Sequence, residues 1–171
     1  MASIIEPRTR RVSEAGRTVL SRWAFCRVDD TLVLCTQGDR EPPDEEVELY
    51  LKRLDTADFS AILLHSRGGH PTPKQRSRIA DYWNTCGRPV PRIAVLTDAV
   101  VARAVLKAME WVMRTLTTKV FAGDAVDAAL QWLHAEAPAP SVAAAIAGMH
   151  AALYMNAEDD SAPKRAPKTP G

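Results

Sequence analysis

Short apolar runs alternate with amphipathic stretches along the chain, and this alternation predicts strands separated by helices. Two of these runs, 61–65 and 93–96, are so largely apolar that they indicate strands covered on both faces of a sheet. Thr72 and Pro73 form a favourable start for the helix between them, which should end near Cys86 because Gly87 follows. The predicted strands are 19–28, 31–36, 59–64, 93–96 and 118–121, and the predicted helices are 42–54, 72–86, 99–114, 124–133 and 141–155.

The order of these elements predicts an α/β domain with a mixed sheet of four or five strands and flanking helices. Asp29 and Asp30 form a turn that makes the first two strands an antiparallel hairpin. The later strands alternate with helices, which indicates parallel pairing through right-handed crossovers with 61–65 and 93–96 in the centre. The sequence predicts four parts: a flexible arm (1–16), the α/β domain (17–136), a proline linker with a C-terminal apolar helix (137–156), and a disordered tail (157–171).

Composition restricts the class of protein without indicating an activity. The 171 residues include 22 Lys and Arg and 21 Asp and Glu, for a formal net charge of +1. A length of this size fits one domain, and a near-neutral charge gives no overall electrostatic case for nucleic-acid binding. No apolar stretch is long enough to span a membrane, and the N-terminus lacks the pattern of a secretory signal. We therefore expect a cytoplasmic protein.

From the number and spacing of the cysteines and histidines, we expect neither a disulfide framework nor a metal site. With a two-residue turn at 29–30, Cys26 would face Val33 and Cys35 would face Ala24. The two thiols would then be diagonal neighbours beyond comfortable disulfide reach, so buried reduced thiols are expected. The four histidines form no ligand cluster in sequence, and no cofactor motif is present.

Three segments of the chain resemble the STAS domain, the fold of bacterial anti-sigma-factor antagonists, and especially its small SpoIIAA-like and SEC14-like relatives. The resemblance covers roughly 18–136 and depends on the segments 61–76, 92–98 and 119–133. The last of these ends with a short strand and a helix with an Ala-hydrophobic-Trp-Leu face, which is similar to the family's ending. The resemblance implies a STAS-like order of elements, with the helix of 141–155 added beyond it.

The resemblance also implies a function, because STAS domains bind partner proteins or small ligands without catalysis. Signalling members are switched by phosphorylation of a Ser or Thr at the start of the helix after the central strand. Thr72 is the nearest match to that phosphoacceptor by position, and Ser66 is a weaker one. The family's Asp-Ser-Ser-Gly-like sequence is absent here, and His65 stands where an acidic residue is often found. We expect a protein-interaction or regulatory module, with a SEC14-like binder of a small apolar ligand or lipid as the alternative.

A hydrolase is the third possibility, suggested by His65 and Ser66 beside His70. A serine nucleophile needs an oriented base within hydrogen-bond distance. Adjacent residues at a strand end point to opposite sides, so His65 cannot easily serve Ser66. A solvated loop histidine and serine are the plainer interpretation, and we predict no catalytic residues.

The loop after the predicted central strand also has the features of a generic anion site. Gly68 and Gly69 lead into a helix N-terminus, close in sequence to three cationic side chains. The candidate residues for binding an anion or a partner are Arg67, Gly68, Gly69, Lys74 and Arg76. The lysine does not fit a phosphate-loop motif, and a simple glycine turn needs no ligand.

Charge is unevenly distributed around this loop. Residues 67–92 have a balance of +5 and residues 39–58 a balance of −5. The two segments could form complementary faces for self-association or for a charged partner. Solvated helix faces would give the same pattern.

The C-terminal helix has an apolar stripe formed by Val142, Ile146, Met149 and Leu153. Within 142–155 the one strongly polar side chain is His150, and the rest of the surface is rich in Ala and Gly. We therefore predict that 141–155 packs on a partner, most simply a second copy of the chain. Docking onto its own domain is the alternative.

Overall fold

One mixed sheet of six strands organises the part of the chain that the structure describes, and neighbours in sequence are also neighbours in space. The structure is a computed structural model, and it describes residues 17–56, 58–101, 103–104 and 117–161. The strands are β1 (Thr18–Val19), β2 (Trp23–Arg27), β3 (Leu32–Gln37), β4 (Ala61–Ser66), β5 (Arg92–Leu96) and β6 (Thr117–Phe121). Strands β1, β2 and β3 are antiparallel, and β3 to β6 are parallel, which confirms an α/β fold with a mixed sheet.

Helices cover both faces of the sheet. The helices with both ends in the described ranges are α1 (Asp44–Thr56), α2 (Pro73–Thr85), α3 (Val126–Leu133) and α4 (Ala139–Ser161). Helices α1 and α2 pack with alternate side chains of β2, β3 and β4 on one face, and α3 and α4 pack on the other. Because Leu63 and Val95 are fully buried, β4 and β5 are interior strands as their apolar sequences predicted.

The sheet has one strand more than the four or five predicted, because the expected first strand is interrupted. Residues 20–22 leave the strand conformation between β1 and β2. The buried Glu46 carboxylate accepts hydrogen bonds there from the backbone N–H groups of Ser21 (2.7 Å), Arg22 (3.0 Å) and Trp23 (3.1 Å). The Ser21 hydroxyl also donates to it. Glu46 thereby satisfies the amides that the strand break leaves without a ladder partner.

The predicted hairpin register was wrong by one residue. Cys26 lies opposite Leu34, and Cys35 lies opposite Phe25. The reason is the turn: Asp29 Oδ1 accepts from the backbone N–H groups of Thr31 (2.7 Å) and Leu32 (2.9 Å), which lengthens the connection to three residues. The two cysteines belong to the cores on opposite faces of the sheet and are free and buried, so the prediction of unpaired thiols is confirmed.

Helix α4 corrects the expected role of the C-terminal apolar stripe. Val142, Ile146, Met149 and Leu153 are all buried in the core that α3 and α4 form with the chain's own sheet. The prediction that this stripe meets a partner is therefore wrong for these four side chains, and the alternative of docking onto its own domain describes them. The helix also begins at Ala139 and continues to Ser161, through residues 157–161 that were expected to be disordered.

Some expectations lie outside the described residues. The arm of 1–16, the tail beyond 161 and most of the predicted helix of 99–114 are among them, although 100, 101, 103 and 104 are helical. None of the helices in the described ranges combines the length and the apolar character that crossing a membrane requires.

Candidate functional site

The carboxyl ends of the parallel strands β3 to β6 meet at one edge of the sheet, where α/β proteins commonly place binding sites. Side chains at this edge are polar although they are buried: Thr36 and Gln37 on β3, Ser66 on β4, and Thr97 after β5. Asp98 accepts a hydrogen bond from the Gly123 backbone N–H (3.0 Å), which ties the ends of β5 and β6 together. The edge therefore contains a group of buried polar side chains at the ends of strands whose buried centres are apolar.

His65 and His150 form a hydrogen-bonded pair at this edge. His65 Nδ1 and His150 Nε2 are 2.8 Å apart, and the ring planes are inclined at 72°. Since side chains alternate along β4, His65 faces the same side as Leu63, which is the side covered by α4. His150 is only 2 % exposed, whereas His65 is half-buried. The pair joins the end of the central strand to the C-terminal helix.

Both imidazoles are held in the neutral form at neutral pH. Burial, the Arg67 guanidinium and His65, in that order of effect, lower the pKa of His150 from 6.5 to about 4. Burial and then Arg67 lower the pKa of His65, against the opposing effects of the Asp98 carboxylate and the Gly123 backbone. A neutral imidazole has one N–H donor and one acceptor nitrogen, so the two rings can share one hydrogen bond.

Arg67 lies on the exposed surface beside this pair. Its Nη1 donates to the Tyr154 hydroxyl (2.8 Å), and its Cζ lies 5.1 Å from the centre of the Tyr154 ring. Among the described residues, no carboxylate forms an ion pair with Arg67. The guanidinium is thus oriented by an aromatic side chain, and the part of the chain that the structure describes places no carboxylate in an ion pair with it.

The two glycines after Arg67 shape the loop that carries it. Gly68 has a φ of +116°, a backbone conformation that side chains disfavour. Gly69 packs so closely on the backbone of Gly38 and Arg40 that a Cβ atom would collide with them, and its N–H donates to the Gly38 carbonyl (3.0 Å). Both glycines are therefore explained by the turn, as the simpler of the two sequence interpretations expected.

The two phosphoacceptor candidates differ in accessibility. Ser66 is 5 % exposed, and its hydroxyl donates to the Gly69 carbonyl (3.2 Å) and accepts from the Gly68 N–H (3.2 Å). Thr72 is half-buried and caps α2: its Oγ1 accepts from the Gln75 N–H (3.2 Å), and the Gln75 side chain accepts from the Thr72 N–H (2.9 Å). The Thr72 hydroxyl is therefore the more accessible of the two, whereas the Ser66 hydroxyl, at the end of β4, is hydrogen-bonded to the loop that follows.

The structure does not gather the predicted anion-binding residues into one cluster. Arg67 is directed to Tyr154 on α4, while Lys74 forms an ion pair with Asp44 on α1 (3.2 Å). Arg76 folds back to the Pro71 carbonyl (2.8 Å). Of the five candidates, Arg67 therefore presents its charge at the α4 side of the edge.

The acidic and basic segments also neutralise each other within the chain. Helices α1 and α2 lie side by side, and Arg78 pairs with Glu48 (2.8 Å) in addition to the Lys74–Asp44 pair. The lowered pKa values of the Asp44 and Glu48 carboxyls result chiefly from hydrogen bonds with Gln75 and Arg78, respectively. This pairing favours the interpretation of ordinary helix faces over that of two surfaces for self-association.

At the end of β3, two buried polar side-chain atoms have no hydrogen-bond partner among the described residues, and one of them is on the face that carries His65. They are Thr36 Oγ1 and Gln37 Nε2. Thr36 is the register neighbour of His65, so both side chains face α4. In the described ranges, no group of three or more His, Cys, Asp or Glu side chains is arranged to hold a metal ion.

Arg67 was a candidate from the sequence, whereas His150 and Tyr154, which the structure places beside it and His65, were not. His65 and His150 are 85 positions apart, so no local spacing links them. The available signal was His150 itself, the one strongly polar side chain within the apolar segment 142–155. A polar side chain at the edge of the sheet, such as His65, would explain its presence there.

Comparison of the chain with models of protein families, with curated proteins and with solved structures gives no match in any of the three.

Proposed function

We propose that this chain is a non-catalytic, STAS-like regulatory module that binds a protein partner at the edge carrying Arg67. The observation that carries the proposal is the state of this arginine. Lys74 and Arg78 pair with acidic residues of α1, whereas Arg67 is exposed, oriented by Tyr154 and without an ion pair among the described residues. An oriented, exposed cation at a surface is suited to electrostatic recognition of a partner.

The arrangement of His65 and Ser66 supports a binding role over a hydrolytic one. The His65 ring is turned toward His150 on α4, while the Ser66 hydroxyl is engaged with the loop at Gly68 and Gly69. A serine nucleophile requires a base within hydrogen-bond distance, and these two side chains lie on opposite faces of β4.

Regulation by phosphorylation belongs to the same proposal, with Thr72 as the first candidate and Ser66 as the second. Thr72 is half-buried at the start of α2, where the helix dipole favours a negative charge. The Arg76 guanidinium lies at the neighbouring Pro71 carbonyl and would add a cation near a phosphate on Thr72.

The alternative is a SEC14-like binder of a small apolar ligand or lipid. The packing between the sheet and helices α3 and α4 weighs against this alternative, because Leu34, Leu63 and Val142 from the facing elements are fully buried against one another. A cleft of about 370 Å³ lies at the opposite edge of the sheet. Its lining includes Asp30, Asp58 and Arg88. These charged side chains are unfavourable neighbours for a lipid tail, because sites for apolar ligands are lined mostly by apolar side chains.

A second copy of the chain is one possible partner. Since the apolar stripe of α4 is buried, self-association through 141–155 would have to use the outward face of the helix, where Tyr154 and Met155 are exposed. Light scattering at tens of micromolar, about the range of weak association, tests this version: a monomer contradicts it.

The main experiment compares a photo-crosslinking amino acid at Met155, beside Tyr154, with the same amino acid at Asp58 on the opposite edge. Both side chains are well exposed in the structure. We expect a defined protein adduct in cell lysate from the probe at 155 and not from the probe at 58. The adduct should disappear in Arg67→Ala and persist in Arg78→Ala.

Adducts that form equally from both positions, or that do not depend on Arg67, contradict the proposal. Native mass spectrometry of the purified chain covers the alternative: a stoichiometric apolar molecule that co-purifies would favour the SEC14-like function instead.

A further inference from the structure

We propose that Arg67 and Tyr154 bind an oxyanion of the protein partner, a carboxylate or a phosphate group, and that binding is coupled to proton uptake by the His65–His150 pair. This inference rests on the proposed function, because it names the chemistry that the partner presents to the edge. It goes further in assigning the histidine pair a role in that recognition.

The geometry of Arg67 is that of a prepared oxyanion site. One guanidinium nitrogen is fixed by the Tyr154 hydroxyl at 2.8 Å, and the Tyr154 ring lies 5.1 Å from Cζ. A guanidinium has five N–H donors in a planar fork, so the contact with Tyr154, the one that the described residues make with this guanidinium, leaves donors for two oxygens of a carboxylate or phosphate. Fixing the side chain before binding reduces the conformational entropy that binding costs.

Arg67 and the histidine pair are linked electrostatically. The positive charge of Arg67 opposes the protonation of both His65 and His150, and it contributes to the lowered pKa of each. An oxyanion bound to Arg67 would cancel much of that charge, and protonation of the pair would become easier. Linkage is reciprocal, so a protonated pair must bind the oxyanion more tightly by the same factor.

The other groups around the pair leave Arg67 as the adjustable charge. Asp98 acts on His65 from the end of β5, but its carboxylate is fixed by the Gly123 N–H. Within the described ranges, other titratable or charged groups on the surrounding elements include Tyr154 on α4, Cys26 on β2, Arg17 before β1 and Arg103 after β5. The Cys26 thiol contacts Met149, Arg17 donates to the Gly148 carbonyl, and Arg103 donates to the Thr97 carbonyl.

Buried Thr36 provides a place for the added proton to be accommodated. Its hydroxyl has no hydrogen-bond partner within the described ranges, and Thr36 lies in register with His65 on the face covered by α4. A protonated pair has one more N–H donor than the neutral pair, and a hydroxyl oxygen can accept from it.

The test is an NMR titration of the histidine ring C–H resonances of the full chain between about pH 4 and about pH 8. It is run at equal ionic strength in chloride, in sulfate as a phosphate-like ion, and in trifluoroacetate as a carboxylate that stays ionised. In the presence of the oxyanion that the site prefers, we expect the titration midpoints of His65 and His150 to rise by about half a pH unit. This rise corresponds to about a threefold increase in proton affinity and, by linkage, in oxyanion affinity. Exposed His134 in the same spectrum is the internal control.

Two variants make the test specific. In Arg67→Gln, both midpoints should already be raised in chloride, and neither oxyanion should move them further. Arg78→Gln, which removes an arginine paired with Glu48, should behave as the parent does.

The proposal is overturned if neither oxyanion moves the midpoints, or if they move equally in Arg67→Gln. An Arg67-dependent crosslink at Met155 with unmoved midpoints would reject the coupling and leave partner binding in place. Moved midpoints without any crosslink would support the oxyanion site and contradict the partner surface.

Discussion

His150 Nε2 on the C-terminal helix lies 2.8 Å from His65 Nδ1 at the end of the central strand. This contact is polar, whereas the α4 side chains that the structure describes in the core against the sheet are apolar. It therefore makes the docking of α4 sensitive to pH in a way that an apolar contact would not be.

We predict that the free energy of unfolding decreases between pH 7 and pH 5. The folded-state pKa values of His65 and His150 lie below the unfolded value of 6.5, and that of His150 is about 4. The unfolded chain therefore binds more protons, and stability that is complete above the unfolded pKa is lost as the pH falls toward the folded pKa. The expected loss is about 1–2 kcal/mol, measured by urea unfolding at each pH.

The matched variants are His150→Leu, which should flatten this dependence, and His134→Asn at an exposed position, which should leave it intact. The range down to pH 5 is chosen because it lies above the ordinary pKa values of the carboxyls. An unchanged slope in His150→Leu would show that the pair is not its source.

Glu46→Gln should destabilise the fold by about 2 kcal/mol. The amide that replaces the carboxylate has one oxygen instead of two and directs an NH₂ group toward the N–H donors of residues 21–23. Glu45→Gln, on the exposed side of the same helix turn, is the control and should be neutral within about 0.5 kcal/mol in chemical denaturation. Equal effects of the two substitutions would contradict the role assigned to Glu46.

Met149→Ala and Met155→Ala provide a matched pair on α4. Met149 is 1 % exposed and Met155 is 71 % exposed, so the first truncation leaves a cavity and the second does not. We expect Met149→Ala to lower the free energy of unfolding by about 2–4 kcal/mol and Met155→Ala to leave it almost unchanged, as measured by thermal or urea unfolding.

Truncation after Glu136 should abolish cooperative unfolding, because it removes α4 and uncovers one face of β2 and β3. A cooperatively folded truncated chain would show that α4 is dispensable.

Phosphorylation, if it switches this chain, should map to Thr72 by phosphopeptide analysis of the native protein. Thr72→Glu should remain folded while changing partner affinity, because the new charge lies at the helix N-terminus. Ser66→Glu should instead reduce stability by more than about 2 kcal/mol, because it buries a charge in the loop at Gly68 and Gly69. Modification found only at other residues, or unchanged affinity in Thr72→Glu, would count against this switch.

The interior strands and the helix starts were predictable because their causes are local. Uninterrupted apolar residues identified β4 and β5, and Thr72 followed by Pro73 marked the beginning of α2. The hairpin register was missed because it depends on hydrogen bonds of one side chain, Asp29, that the residue types alone do not reveal.

The interactions of α4 were less accessible to sequence reasoning. Periodicity shows that Val142, Ile146, Met149 and Leu153 share a buried face, but it contains no information about which surface covers that face. The site has the same limitation: Arg67 was a candidate from its place in the loop, while Tyr154 and His150 join it only through the docking of α4.

The hydrogen bonds of Glu46 also determine how the sheet ends on the β1 side. By holding residues 21–23, this carboxylate leaves an outer strand of two residues, Thr18 and Val19, in the described part of the chain. An unpaired strand edge can accept a strand from another molecule, and a long regular edge is a common starting point for aggregation. An outer strand of two residues offers few backbone groups for such an addition, so in the described part of the chain the strand break that Glu46 stabilises limits the growth of the sheet beyond β1.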